Sequence, residues 1–315
     1  MPTPQFNFRD ATRTQAKASI LIEGLSGKGK SGLALLFAHA LCDDWSGIYA
    51  LDTENKSLDL FQGLTASIGE PFGTFKKFDL TDVHGYAPSN YLLARDAAVK
   101  AGAKVFINDS ITHMWTMQGG VLDLVSDVQS RITNKASAWG DDTVVKEKQK
   151  IYATARDPRV HVISTVRVKE KIGMDTVDGK TSIVNLGEQE IMMPDFKYEP
   201  DLVLHMVRAG NMNGVPPKAK VIKSRYAIFQ DNQEYEFTED LLKDLVKYLN
   251  EGADPKELLE RQRLEIIDEI TRILDEDTSK KTMFPILKEQ QGVKDIKLKD
   301  MDLTVLKTLL GILYA

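Results

Sequence analysis

Gly24-Leu25-Ser26-Gly27-Lys28-Gly29-Lys30-Ser31 is the stretch on which the reading of this chain turns. Before it runs Ser19-Ile20-Leu21-Ile22-Glu23, short and β-rich, which predicts a buried strand. After it comes SGLALLFAHALCDDW, rich in Leu and Ala and free of Pro, which is good helix material. Strand, glycine loop and helix therefore follow in order, and the loop matches G-x-x-x-x-G-K-[ST] in full at Gly24, Gly29, Lys30 and Ser31. Glycines let backbone amides curl around phosphate oxygens, and the N-terminus of the following helix adds partial positive charge. The expected ligand is ATP with Mg²⁺, held by Gly24, Leu25, Ser26, Gly27, Lys28, Gly29, Lys30, Ser31 and Gly32. Lys30 is expected to reach the β- and γ-phosphates and the Ser31 hydroxyl to ligate the metal. The plain alternative is a glycine turn leading into an ordinary helix.

Further strands are predicted at Gly47-Ile48-Tyr49-Ala50-Leu51, at Lys104-Val105-Phe106-Ile107-Asn108 and over residues 160–166, 201–207 and 219–223, with a helix over 90–101. Near-continuous apolar strands alternating with helices imply an α/β fold with a mostly parallel central sheet covered on both faces. Ligands of such sheets sit beyond the carboxyl ends of the strands. Asp109, at one such end, is therefore the expected second metal ligand, with a helix cap or turn as its bland alternative. Glu54, in Leu51-Asp52-Thr53-Glu54-Asn55, is placed to deprotonate water, although an acidic turn with Asp52 and Asp59 would look the same. Residues 167–193 are polar and contain Asp178-Gly179, which predicts a protruding hairpin.

Gly252-Ala253-Asp254-Pro255 marks a boundary. The expected organisation is a polar tail over 1–16, a nucleotide-binding core over 17–250 and a small all-helical module over 251–315. The whole chain has 315 residues, is 42% hydrophobic and 28% charged, and carries a net charge of −5, an ordinary globular mixture. Any grip on nucleic acid must then come from a local basic surface. Residues 146–171 hold eight Lys or Arg against three Asp or Glu, beside Trp139 and Tyr152, and could serve as such a surface or as a plain solvated face. Cys42 is the single cysteine, so no intramolecular disulfide can form, and the five histidines show no paired-ligand spacing. With no apolar leader and no run of membrane-spanning length, a soluble, cytoplasmic protein without membrane contact is expected.

The series GLSGKGKS, ALDTEN, VFINDS and HVISTVRVKEK resembles the RecA-like recombinase and helicase class of P-loop ATPases, and most of all the phage-encoded RecA-like single-strand annealing ATPases. The resemblance spans roughly residues 17–230. It implies that Glu54 activates water and that a polar residue after the fourth strand, Thr165 or Arg167, senses the γ-phosphate. It further implies that Val221-Ile222-Lys223-Ser224-Arg225 is a K-x-R finger, with Lys223 and Arg225 acting on a neighbour's nucleotide within a homo-oligomeric ring or filament. Two basic side chains facing solvent on an edge strand would show the same spacing. Single-stranded DNA is the implied partner, with Lys169, Lys171 and Lys180 of the hairpin as a second candidate surface, alongside a single-strand-binding or recombination protein. The other reading is an ATP-dependent switch that recruits a protein through its C-terminal helices.

Overall fold

The computed structural model describes residues 11–67, 69, 71–177, 180–211 and 213–314. It divides into two compact units, Ala16–Leu249 and a smaller one made of the described parts of Met1–Gln15 and Asn250–Ala315.

Among the described residues, nine strands build the sheet of the larger unit: β1 (Ser19–Gly24), β2 (Ile48–Asp52), β3 (Lys76–Asp79), β4 (Val105–Asp109), β5 (His161–Val177), β6 (Lys180–Glu190), β7 (Leu202–Arg208), β8 (Lys218–Ser224) and β9 (Glu234–Glu236). Their order is β3-β2-β4-β5-β1-β7-β8-β9, with β6 paired to the extension of β5. Pairing is parallel from β3 through β7 and antiparallel at β8, β9 and the β5–β6 hairpin. Helices α1 (Lys30–Cys42), α2 (Pro88–Lys100), α3 (Thr112–Thr116), α4 (Val121–Arg131), α5 (Asp142–Thr154) and α6 (Glu239–Asn250) complete the unit.

Because side chains alternate across a strand, each strand feeds two cores. Ile20, Ile22, Val105, Ile107, Leu202 and Leu204 pack with α1 and α6 on one face. Leu21, Phe106, Val162 and Val203 pack with α2, α4 and α5 on the other. Helix α1 is the most enclosed, with Leu33 through Ala38 all buried, as an uninterrupted apolar run requires. Cys42 at its end is buried and unpaired.

The smaller unit consists of α7 (Pro255–Glu276), α8 (Thr278–Gln290) and α9 (Leu303–Tyr314) around Ile270, Phe284, Leu287, Leu306 and Leu309. Asp254 caps α7 through the Lys256 amide, and Pro255 occupies its first turn, where the missing N–H costs nothing. Here too the backbone of residues 13–15 is bonded to Ala253, so part of the predicted tail is ordered. Among the described residues no helix is long and apolar enough to cross a membrane.

Acid sensitivity is built into the start of β5. His161 is buried, its Nδ1 accepts the Ala18 amide at 2.8 Å, and burial, helped by the Lys17 ammonium, pushes its pKa down to about 3. A histidine kept neutral in the fold contributes stability that is complete above its unfolded pKa of about 6.5 and is lost as the pH falls from there toward the folded value. Between pH 7 and 5 that loss is about 2 kcal/mol. Urea unfolding at the two pH values should show it in the wild type and show a smaller loss in His161→Gln.

Candidate functional site

The phosphate loop leaves β1 at Gly24 and enters α1 at Lys30. Two of its glycines are required by their surroundings. Gly29 has φ +87°, and a Cβ there would lie 2.7 Å from the Ala209 Cβ. Gly24 is backed by Met206, whose Cβ would stand 3.0 Å away. The end of β7 and the residue after it thus form the floor of the loop. At Gly27 (φ +77°), by contrast, nothing lies within 4 Å. Gly29→Ala is therefore expected to cost about 2–4 kcal/mol, from a left-handed residue plus overpacking, and Gly27→Ala only about 1–2 kcal/mol. Chemical denaturation of both variants checks the difference.

Gly29 is the N-cap of α1 and offers no side-chain cap, so the first-turn amides stay available to an anion. Lys30 is buried and donates to the carbonyls of Gly24 at 3.0 Å and Leu25 at 3.1 Å. Burial lowers its pKa, the charges of Glu54 and Asp109 act in the opposite sense, and Arg167 adds to the lowering. These four side chains therefore share one electrostatic neighbourhood.

Asp109 ends β4, two strands from β1 across β5. Its Oδ1 accepts the Thr165 hydroxyl at 2.5 Å, while its Oδ2 is buried with no hydrogen-bond partner. Burial pushes the carboxyl up to about 6, against the hydroxyls of Thr165 and Ser31, which favour its charged form. A buried carboxylate oxygen without a donor, beside a serine hydroxyl at a helix N-terminus, is a donor set suited to a hard divalent cation. Ser31 and Asp109 fit Mg²⁺ in this way. Thr165 is fully buried, and the group it touches is Asp109.

The acidic turn after β2 separates into three jobs. Asp52 is buried and accepts the amides of Glu54 at 2.8 Å and Leu58 at 3.0 Å, shaping the turn. Asp59 pairs with Lys77 at the surface. Glu54 projects toward the loop and meets the Arg167 Nε at 2.8 Å. Burial would raise the Glu54 pKa, but the hydrogen bond and charge of Arg167, with Lys30 and His113, outweigh it and hold the carboxyl below its ordinary range.

Two neighbours escaped the sequence reading. The ring Nδ1 of His113 lies 2.7 Å from the Thr53 hydroxyl, and that hydroxyl donates to the Ser110 carbonyl and accepts the Ser110 amide. The turn carrying Glu54 is thereby pinned to the residue after Asp109. No local spacing signals a pair 60 positions apart.

Lys223 and Arg225 do not join the site within this chain. Strand β8 runs antiparallel to β7, which sets Lys223 opposite Val203 and Ser224 opposite Leu202, level with Leu21 and Ile20 at the far end of β1 from the loop. Lys223 donates to the carbonyls of Lys197, Tyr198 and Pro200. Arg225 pairs with Asp201 at 2.8 Å, which Arg156 also contacts. Arg225 is exposed, as the solvent-facing alternative expects, whereas Lys223 is half-buried under the carbonyls it meets.

Exposed Lys169 and Lys171 lie on the hairpin extension of β5, and its Asp178-Gly179 turn and the Lys180 side chain fall outside the described residues. Trp139 is 41% exposed and packs against Trp115 at 6.1 Å between ring centroids. On α5, Lys150 pairs with Glu147.

A family profile described as an AAA domain (AAA_24) matches residues 16–236. No curated protein sequence matches the chain. Among solved structures, a KaiC-like protein from the hyperthermophilic archaeon Pyrococcus horikoshii is similar over 70% of this chain and 86% of that one, with 16% identity and a TM-score of 0.39. With its phosphate loop set between strand and helix in a mostly parallel, helix-flanked sheet, the chain belongs to the AAA domain family and carries a P-loop ATPase domain.

Proposed function

We propose that the protein is an Mg²⁺-dependent ATPase that acts on single-stranded DNA in phage recombination or replication, annealing or loading it as a homo-oligomer. The observation that carries the catalytic part is the convergence of Lys30, Ser31, Glu54 and Asp109 at the carboxyl ends of β1, β2 and β4. In this reading the loop amides and Lys30 hold the triphosphate. Bound Mg²⁺ would neutralise charge on the β- and γ-phosphates, held by Ser31 and Asp109. Glu54 accepts a proton from water as the water oxygen bonds to the γ-phosphorus and the bond to the β–γ bridging oxygen breaks, giving ADP and inorganic phosphate.

Support for the DNA part comes from the exposed lysines at the root of the hairpin and the Trp115–Trp139 pair, which joins an aromatic surface to α3 directly behind Asp109. The finger role of Lys223 and Arg225 belongs to an assembly, because both stand at the opposite end of the sheet from their own loop. ATP turnover with and without single-stranded DNA tests the proposal. Stimulation is expected in the wild type, and mixtures of Glu54→Gln with Arg225→Ala should recover part of the lost rate. If DNA leaves both rate and oligomeric state unchanged and does not bind at low salt, the DNA role is wrong. If the mixture stays inactive, the finger is wrong.

A second reading, an ATP-dependent switch that docks a protein through its C-terminal helices, is favoured by the exposed Leu259, Leu264, Met283 and Ile286 of the smaller unit. Under it, Leu264→Asp with Ile286→Asp would abolish partner capture and leave ATP binding intact.

A further inference from the structure

Strand β6 hydrogen-bonds to β5 and lies off the path of the main sheet, so among the described residues side chains attach it to β1 and β7. His205 of β7 stands at the centre of that attachment. Its Nδ1 lies 2.8 Å from Oε1 of Glu23, the residue that leads β1 into the phosphate loop, and its Nε2 lies 3.2 Å from Oε2 of Glu188 on β6. Both ring nitrogens thus meet a carboxylate. Side chains two apart on a strand share a face, so Glu190 joins Glu188, with Lys197 3.7 Å from it. Glu170 of β5 is the cross-strand neighbour of Glu188, and Lys220 of β8 is that of His205. Glu23 is 5% exposed, and its Oε2 has no hydrogen-bond partner.

We infer that His205 is a proton-operated latch, which as an imidazolium fastens the β5–β6 hairpin to the strand that feeds the phosphate loop and as a neutral ring releases the hairpin root. Only the imidazolium carries a proton on both nitrogens, so deprotonation leaves one of the two carboxylates without a donor. Glu23 is the more deeply buried and loses more without one, so Glu188 is the partner that turns to water. Glu170, Glu188 and Glu190 then repel one another with no imidazolium among them. The bond to Glu23, followed by the charges of Glu23, Glu188 and Glu190, raises the pKa of His205 above its ordinary value, against burial. The contact is therefore complete below the unfolded value of about 6.5 and is lost as the pH rises through the folded one. Burial and the charge of Glu190 raise the Glu23 carboxyl, and the His205 bond opposes them. What moves with the latch is the hairpin that carries the exposed Lys169 and Lys171. One side chain thus ties that hairpin to the nucleotide end of β1, whatever the hairpin binds.

Two measurements on the full chain, run between about pH 6 and 9 where a raised histidine titrates, test the latch together. The ring of His205 is followed by proton–nitrogen NMR, with His205→Gln to assign its signal. The hairpin root is followed by hydrogen exchange at the Ile191 amide, which bonds the Arg167 carbonyl at 2.8 Å, after correction for the intrinsic effect of pH. In the wild type both ring nitrogens should be protonated at the acid end. Protection at Ile191 should fall about three- to tenfold as the pH rises, the scale of a half-buried charge-assisted bond, with the same midpoint as the ring. Glu188→Gln, a change at a part-exposed site, should lower that midpoint and leave protection low and flat, as should His205→Gln. His205→Arg, a permanent cation with several donors, should keep the root protected throughout. The latch is overturned if protection ignores the titration of the ring, if His205→Gln keeps the wild-type profile, or if only one ring nitrogen is protonated at the acid end.

Discussion

Glu54→Gln is expected to slow ATP hydrolysis by about 10²–10⁴-fold while ATP stays bound, the loss typical of removing a general base. Lys30, Ser31 and Asp109 hold the nucleotide in this account, and none of them depends on Glu54 for its position. The turn that carries Glu54 is shaped by the Asp52 carboxylate and pinned through Thr53 to Ser110, and both supports survive the substitution. Single-turnover hydrolysis together with nucleotide binding separates the two effects. A variant that hydrolyses at the wild-type rate would return Glu54 to the bland reading of an acidic turn.

Asp109→Asn should produce the opposite signs in stability and activity. Its carboxyl, pushed up to about 6 by burial, ionises at a cost in the absence of a cation. A carboxyl whose folded pKa lies above its unfolded value near 3.8 contributes stability that is full below the unfolded value and is lost as the pH rises through the folded one. At pH 8 without nucleotide or Mg²⁺, the asparagine variant is therefore expected to be more stable by about 2–3 kcal/mol, with the gain fading toward pH 4. The Thr165 hydroxyl retains an acceptor in the amide oxygen, so the substitution leaves no new orphan there. Turnover should nonetheless fall at least about a hundredfold, since the ligand that fixes the metal is gone. Denaturant unfolding at pH 8 and pH 5 and a steady-state assay measure both. Loss of stability at pH 8 would show that Asp109 is a structural residue that needs its charge.

The strand, glycine loop and helix were legible because each is set by local chemistry. Ser19–Gly24 is apolar enough to be buried throughout, the glycines admit a backbone that other residues resist, and Leu33 through Ala38 leave no polar face. Asp109 and Glu54 could be placed because parallel strands present their carboxyl ends on one side. Edge strands were not legible. Lys76–Asp79, with Phe78 half exposed, is a strand only because β2 offers it an edge, and Glu234–Glu236 owes its pairing to β8 in the same way. Helix α8 was hidden by Pro285, which removes one backbone bond from a helix that Phe284 and Leu287 hold against the core of the smaller unit. The Lys223 and Arg225 spacing was visible but its direction was not, since nothing local distinguishes an antiparallel β8 from one more parallel strand. The ion pair of Glu54 with Arg167, 113 positions apart, follows only from the strand order that brings β5 beside β1 and β4.

The central claim is that the loop from Gly24 to Ser31 wraps a triphosphate, with magnesium shared between Ser31 and Asp109. Calorimetric titration of ATP, with and without Mg²⁺, into the wild type and Lys30→Ala tests it most directly. The account predicts tight, Mg²⁺-enhanced binding in the wild type and at least about a tenfold loss in Lys30→Ala, the scale of one charge-assisted contact to phosphate. Equal ATP affinity in the two proteins, indifferent to Mg²⁺, would contradict it.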